Sequence, residues 1–323
     1  MFSSKSISLL LALVSSATAS PLLTARNAST RQVYQFEQGT WVENLAVRQN
    51  GNLLVDLVDR PEIYEINPSS NESSPKLVHR FPGITSVFGI SEVSTDVFTV
   101  VGGNFSLATF SVDAESFGVW QVDLTGSEAA VSQIAAMPDA VFLNGMTTLN
   151  SQSVLVSDST SGVVYRVDIQ TGEYTIVLDD ETMKPPADAT LQIGVNGIRL
   201  FNGYLYYLNL FAKLYCRVPI DSTSGKAVGP YEVIAENVYA DDFAITQQGV
   251  AYAADGFENQ ILKVTLDGQV ESIAGNLNST TVAGATSAQF GKDGVLYVTT
   301  GGALAAPVNG TYTEGGKIVA LRV

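Results

Sequence analysis

The stretch Tyr239-Ala240-Asp241-Asp242-Phe243-Ala244-Ile245 decides the fold, because altered copies stand at Leu143-Asn144-Gly145-Met146 and Val195-Asn196-Gly197-Ile198. Each copy sets a carboxylate or amide oxygen just before an apolar, strand-like run. Laid under one another, the copies give one slot to Glu43, Phe88, Asn144, Asn196, Asp242 and Ser287, with steps of 45, 56, 52, 46 and 45 residues. Six such units, each made of short strands with turn residues between, mark a radial repeat rather than one packed sandwich. The expectation is an all-β, six-bladed β-propeller. Its innermost strands run along a central channel, so the slot becomes a ring of facing side chains.

Outward from that slot the strand signals are regular. Glu43 to Val47, the turn Asn50-Gly51, Leu53 to Leu57 and Glu62 to Ile66 alternate apolar and polar residues between turn formers, as hairpin-linked strands require. Similar runs continue to Lys317-Ile318-Val319-Ala320-Leu321, giving one domain over residues 32–323. A strand near Val33-Tyr34-Gln35-Phe36 is expected to complete the sixth sheet, since an open ring would expose two edges. The connection Asp179 to Thr190, with prolines at 185 and 186, is longer than the others, and long loops on rigid scaffolds often shape a binding mouth.

The start of the chain carries Lys5, an apolar run from Ile7 to Val14, and the small residues Ala17-Thr18-Ala19. That pattern reads as a secretory signal peptide over residues 1–19, too short for a stable membrane span, followed by a flexible lead-in over 20–31. Sequons at Asn27, Asn71, Asn104, Asn278 and Asn309 fit passage through the secretory pathway, whether the chain is secreted or held in vesicles. The formal charge is −15, and removing Lys5 with the leader makes it −16. Without a basic block, nucleic acid and anionic membrane surfaces are poor partners; small molecules are the expected ones. One cysteine, Cys216, excludes an internal disulfide, and its alternating surroundings make it a buried strand residue.

Glu43, Asn144, Asn196, Asp241 and Asp242 form an oxygen-only set, which suits calcium and disfavours zinc or copper. A purely structural reading stands beside it, because Asn-Gly pairs form ordinary turns and aspartates before strands cap loops. Asp242, Asn196 and Glu43 are the catalytic candidates. Trp41, Phe88, Phe142, Asn144, Tyr239, Phe243 and Ser287 lie at or next to the slot and are the candidate substrate-binding residues, unless the aromatics pack blade against blade. Phe88 sets an apolar side chain in an otherwise polar slot, which favours an apolar ligand over a metal hydrolase.

Glu43, Asn196 and Asp242 match the calcium-ligand pattern of gluconolactonases and regucalcin-like lactonases, and with Asn144 and Asp241 the set resembles that of paraoxonases. The resemblance implies a propeller that often carries calcium and a lactonase or esterase activity, with no organic cofactor. His79 is the sole histidine, at a blade edge, so the paraoxonase histidine dyad is missing and a Ser-His-Asp triad has no well-placed imidazole. The phrases Gly39-Thr40-Trp41-Val42-Glu43-Asn44-Leu45-Ala46-Val47-Arg48, Gly102-Gly103-Asn104-Phe105-Ser106, Phe142-Leu143-Asn144-Gly145-Met146-Thr147-Thr148-Leu149, Val177-Leu178-Asp179-Asp180 and Asp241-Asp242-Phe243-Ala244 carry a closer likeness. They resemble the fungal secreted propellers that include hetero-Diels-Alderases of tropolone and polyketide sesquiterpenoid pathways. That likeness implies dehydration of a benzylic alcohol to an ortho-quinone methide and its addition to an alkene of a humulene-type terpene. A non-catalytic binding propeller is the remaining alternative.

Overall fold

The computed structural model describes residues 28–70 and 74–323. The segment read as a signal peptide, with Asn27 and Asn71, lies outside the described residues. Six four-stranded antiparallel sheets stand around one axis. A first strand, β1 (Ser29–Gln35), is set aside for closure. The first blade holds β2 (Val42–Val47), β3 (Leu53–Leu57), β4 (Glu62–Ile66) and β5 (Lys76–Arg80). The second holds β6 (Ser86–Ser94), β7 (Val97–Ser106), β8 (Ser111–Asp123) and β9 (Ala130–Ala136). The third holds β10 (Leu143–Asn150), β11 (Ser153–Asp158), β12 (Val163–Asp168) and β13 (Tyr174–Asp179). The fourth holds β14 (Val195–Phe201), β15 (Tyr204–Asn209), β16 (Leu214–Pro219) and β17 (Glu232–Glu236). The fifth holds β18 (Phe243–Ile245), β19 (Ala251–Asp255), β20 (Gln260–Val264) and β21 (Val270–Gly275). The sixth has β22 (Ala285–Phe290), β23 (Leu296–Thr300) and β24 (Lys317–Arg322), with β1 as its outer strand.

Sheets that stack on both neighbours bury both faces, which removes the half-polar alternation from their middle strands. That is why β3, β11, β19 and β23 are buried at every position. The outer strands are exposed on one side and read as mixed, as in Tyr174–Asp179 and Val270–Gly275. The core therefore lies between blades, with one apolar cluster at each of the six interfaces. Cys216 is fully buried in the cluster between the third and fourth blades. His79 sits in β5 opposite Ile63, edge-on to Phe81 at 4.7 Å.

β1 pairs antiparallel with β24 from Ser29↔Arg322 to Gln35↔Lys317, so the amino-terminal strand closes the ring on the last blade. The expected closing strand is present, and it starts earlier than expected. Ser29 to Arg31, read from sequence as part of the lead-in, already belong to the sheet because their backbone groups extend the ladder. Asp179 to Thr190 contains a 3₁₀ turn, Glu181–Met183, capped by the Asp180 side chain, which accepts from Thr182 N at 2.9 Å.

The candidate active site

A β-bulge breaks the inner strand of most blades at the level of the slot. Pairing slips between Val42 and Leu45, Val87 and Ile90, Leu143 and Met146, and Val195 and Ile198, so two residues oppose one. The first bulged residue turns its side chain to the open face: Glu43, Phe88, Asn144 and Asn196 all line one cavity. The second points along the axis toward the next blade. In three blades it is Gly89, Gly145 or Gly197, where an added Cβ would sit 2.3 Å from an atom of the neighbouring blade. Only glycine fits that approach.

The same geometry shifts the register read from sequence in the fifth and sixth blades by one residue. Asp241, not Asp242, lines the cavity beside Glu43, Asn144 and Asn196, while Asp242 and Ser287 take the axial position with Asn44. Asp242 Oδ2 accepts from Asn44 Nδ2 at 3.1 Å, Ser287 Oγ at 3.0 Å and Arg199 Nη2 at 2.6 Å, while its Oδ1 accepts from Phe243 N at 2.8 Å. Asp242, expected as a catalytic residue, thus has both oxygens engaged beneath the cavity. Ser287 is fully buried and also donates to Asn44 Oδ1. Phe243, expected as lining, is buried between blades against Tyr215 at 5.3 Å. Tyr239 is not a lining residue either; it stacks at 4.3 Å on Phe257, which is.

The cavity measures about 330 Å³ and opens on the face from which the inner strands start. Trp41, Phe88 and Phe142 line it as expected from sequence, joined by Phe105 and Phe110. The last two come from the β7–β8 hairpin, whose strands of 10 and 13 residues outgrow those of the other blades. The signal for them was the 56-residue step of the second unit, about ten residues longer than a regular one. Leu191 and Ile193, just past the long Asp179–Thr190 connection, complete the wall with Leu210.

Each cavity carboxyl has one oxygen held by a neighbour. Trp41 Nε1 donates to Glu43 Oε2 at 2.5 Å, and Asn196 Nδ2 donates to Asp241 Oδ1 at 2.5 Å. The Trp41 ring rests against Gly301, where a Cβ would stand 2.7 Å from it. Burial pushes the Glu43 carboxyl up to about 7, opposed by the Trp41 hydrogen bond and assisted by the Asp242 charge. Burial raises Asp241 well above the carboxylate range, with Glu43 and Asp242 adding repulsion. Asp56, below them, is raised by the same causes, burial first and Glu43 second, and its Oδ2 is buried without a hydrogen-bond partner among the described residues.

These shifts set a pH dependence. A carboxyl whose folded pKa lies above its ordinary 4.5 contributes stability that is whole below 4.5 and lost as pH rises through about 7. Asp241 and Asp56 shift in the same direction. The thermal midpoint is therefore expected to fall between pH 5 and pH 8, and Glu43→Gln should flatten the fall; a midpoint that climbs across that range would contradict the burial of these acids in neutral form.

No protein-family model matches the chain. A protein of Sarocladium schorii assigned as a hetero-Diels-Alderase, asR5, is 30% identical, with 84% of this chain and 77% of that protein covered. The chain belongs to the fungal hetero-Diels-Alderase family. A second member of the family, from a Phoma species, is 29% identical over 83% of this chain and 86% of its own length. Among solved structures, regucalcin of Agrobacterium tumefaciens, a calcium-binding protein, superposes with a TM-score of 0.66 at 15% identity, covering 93% of this chain and 97% of that one. A gluconolactonase of Xanthomonas campestris gives 0.61 at 12% identity, covering 94% of each. At those identities the likeness is one of fold, and the fold is the six-bladed propeller.

The calcium that the regucalcin likeness suggests can be tested against the donors present. Calcium takes six to eight oxygens. Asp242 is neutralised by Arg199, and the cavity then offers two carboxyls and two amides, with Asn196 bonded to Asp241 and Trp41 to Glu43. Among the described residues no group of three or more His, Cys, Asp or Glu side chains is placed to hold an ion. These side-chain oxygens would make up part of a calcium shell, with water or backbone carbonyls supplying the remainder. Removing a bound ion lowers the unfolding midpoint, so incubation with EDTA decides the matter: a drop of several degrees, restored by calcium alone, assigns the ion to these oxygens, and an unmoved midpoint excludes it.

Proposed function

We propose that this family member couples two small molecules by a hetero-Diels-Alder reaction. A benzylic alcohol on a phenol or tropolone loses water to give an ortho-quinone methide, which adds across an alkene of a humulene-type sesquiterpene to form a dihydropyran. The observation that supports this reading is the cavity itself: six aromatic side chains, Trp41, Phe88, Phe105, Phe110, Phe142 and Phe257, line it, and its side-chain carboxyls and amides are confined to Glu43, Asn144, Asn196 and Asp241.

The dehydration needs an acid. Glu43 or Asp241, held neutral by burial, gives its proton to the leaving hydroxyl; the C–O bond breaks and its electron pair departs with water. The carboxylate so formed takes the proton of the ring hydroxyl, which restores the acid and leaves the quinone methide. General acid catalysis of this type contributes about 10²–10⁴-fold. In the second step the carbonyl oxygen and the exocyclic carbon each bond to one alkene carbon, and no atom is lost. That step asks for two apolar partners held together away from water, which an aromatic-lined cavity open on one face supplies through proximity.

The deciding experiment supplies a hydroxymethyl tropolone or phenol with a humulene alcohol and follows adducts by chiral chromatography. A single stereoisomer formed faster than in buffer is expected; the buffer mixture at the buffer rate would sink the reading. Hydrolysis of lactones or aryl esters in the same preparation, lost in Glu43→Gln, would favour the lactonase alternative. Export is part of the proposal. Asn278 and Asn309 stand on exposed turns open to glycosylation, whereas Asn104 lies in β7 with its amide donating to Asp113 at 3.2 Å.

A further inference from the structure

We propose that the cavity is a receptor for organic cations, that is, for a positive charge spread over carbon. Trp41, Phe88, Phe105, Phe110 and Phe142 all line it. Their rings do not form one stack. Phe105 and Phe142 are near-parallel at 9° and 5.7 Å, whereas Phe88 stands at 80° to Phe142 and Phe110 at 85° to Phe105. Rings in crossed planes around one space wall it from several directions, and an aromatic face carries negative quadrupolar charge that attracts a cation within about 6 Å.

The charge balance points the same way. Glu43, Asp56 and Asp242 are buried and Asp241 is half-buried beside Glu43 on the cavity, and Arg199 pairs with Asp242 alone. Among the described residues Glu43, Asp56 and Asp241 have no cationic partner, and Asp56 Oδ2 has no hydrogen-bond partner. A trimethylammonium group is weakly hydrated, presents carbon to the rings, and can set its charge against the Glu43 and Asp241 oxygens, favouring the ionised form of acids that burial otherwise holds neutral. The inference stands on the cavity and not on the coupling reaction, although a benzylic carbon losing its hydroxyl would gain from the same surroundings.

The test compares choline with its uncharged isostere 3,3-dimethylbutan-1-ol by titration calorimetry on the purified full-length protein. Choline is expected to bind at least tenfold more tightly. Phe105→Leu and Phe110→Leu, which keep the wall apolar while removing two faces, should weaken choline several-fold and leave the alcohol within twofold; a melting curve on each variant confirms that it folds. Equal affinities for the pair, equal losses for both in the leucine variants, or no binding of choline at millimolar concentration would overturn the proposal. A failed coupling assay with cation selectivity intact would remove the reaction and keep the receptor, so the two readings fail separately.

Discussion

Glu43→Gln and Asp241→Asn are each expected to slow coupling by about 10²–10⁴-fold, the range a positioned general acid supplies. Each amide keeps an oxygen for its present donor, Trp41 Nε1 or Asn196 Nδ2, so the cavity wall stays in place. Each also removes an acid that burial and its neighbours disfavour in charged form. The variants should therefore melt at or above the wild-type temperature at pH 8 while losing turnover, a pairing that misfolding cannot produce. Supplying a preformed quinone methide should restore much of the rate, because only the dehydration consumes a proton donor. Rates within threefold of wild type in both variants would remove the carboxyls from the chemistry and leave the cavity as a template.

Arg199→Met is expected to cost about 3–5 kcal/mol of stability, the usual penalty for stripping one partner from a buried ion pair. Arg199 Nη2 lies 2.6 Å from Asp242 Oδ2, and both side chains are largely buried. Its removal would leave a carboxylate already crowded by Glu43 and Asp241 with only Asn44, Ser287 and a backbone N–H. Urea unfolding reads the loss directly. The double variant Arg199→Met/Asp242→Asn should recover at least half, since the uncompensated charge goes with the partner. If the double variant is no more stable than the single, the cost lies in packing, for example in the Arg199 contact over the Phe243 ring at 5.8 Å.

The propeller was legible because its evidence is periodic and redundant: six copies, Asn-Gly turns, and middle strands such as Leu53–Leu57 that are apolar at all but one position. The closing strand was legible for a related reason, since a ring with a free edge needs one. The site was legible only to within one residue. Two adjacent acids, Asp241 and Asp242, fit the repeat equally well, with steps of 45 or 46 from Asn196. A bulge sends successive side chains in different directions, so a slip of one exchanges a cavity acid for an axial one. The glycines after Asn144 and Asn196 marked the correct phase in the third and fourth blades, and no glycine follows Asp241 to do so in the fifth. Phe105 and Phe110 were hidden because a long hairpin announces extra length and not the direction in which it leans.

Asn44, Asp242 and Ser287, with the close glycine contacts of the neighbouring blades, stopper the propeller's bore just under the floor. Traffic into the cavity is thereby a cul-de-sac: in the proposed coupling both reactants would arrive, and the joined product would depart, by the same doorway. Under that proposal a product larger than either reactant would have to back out before the next pair could load, which would make it a competitor of both and tie turnover to its escape.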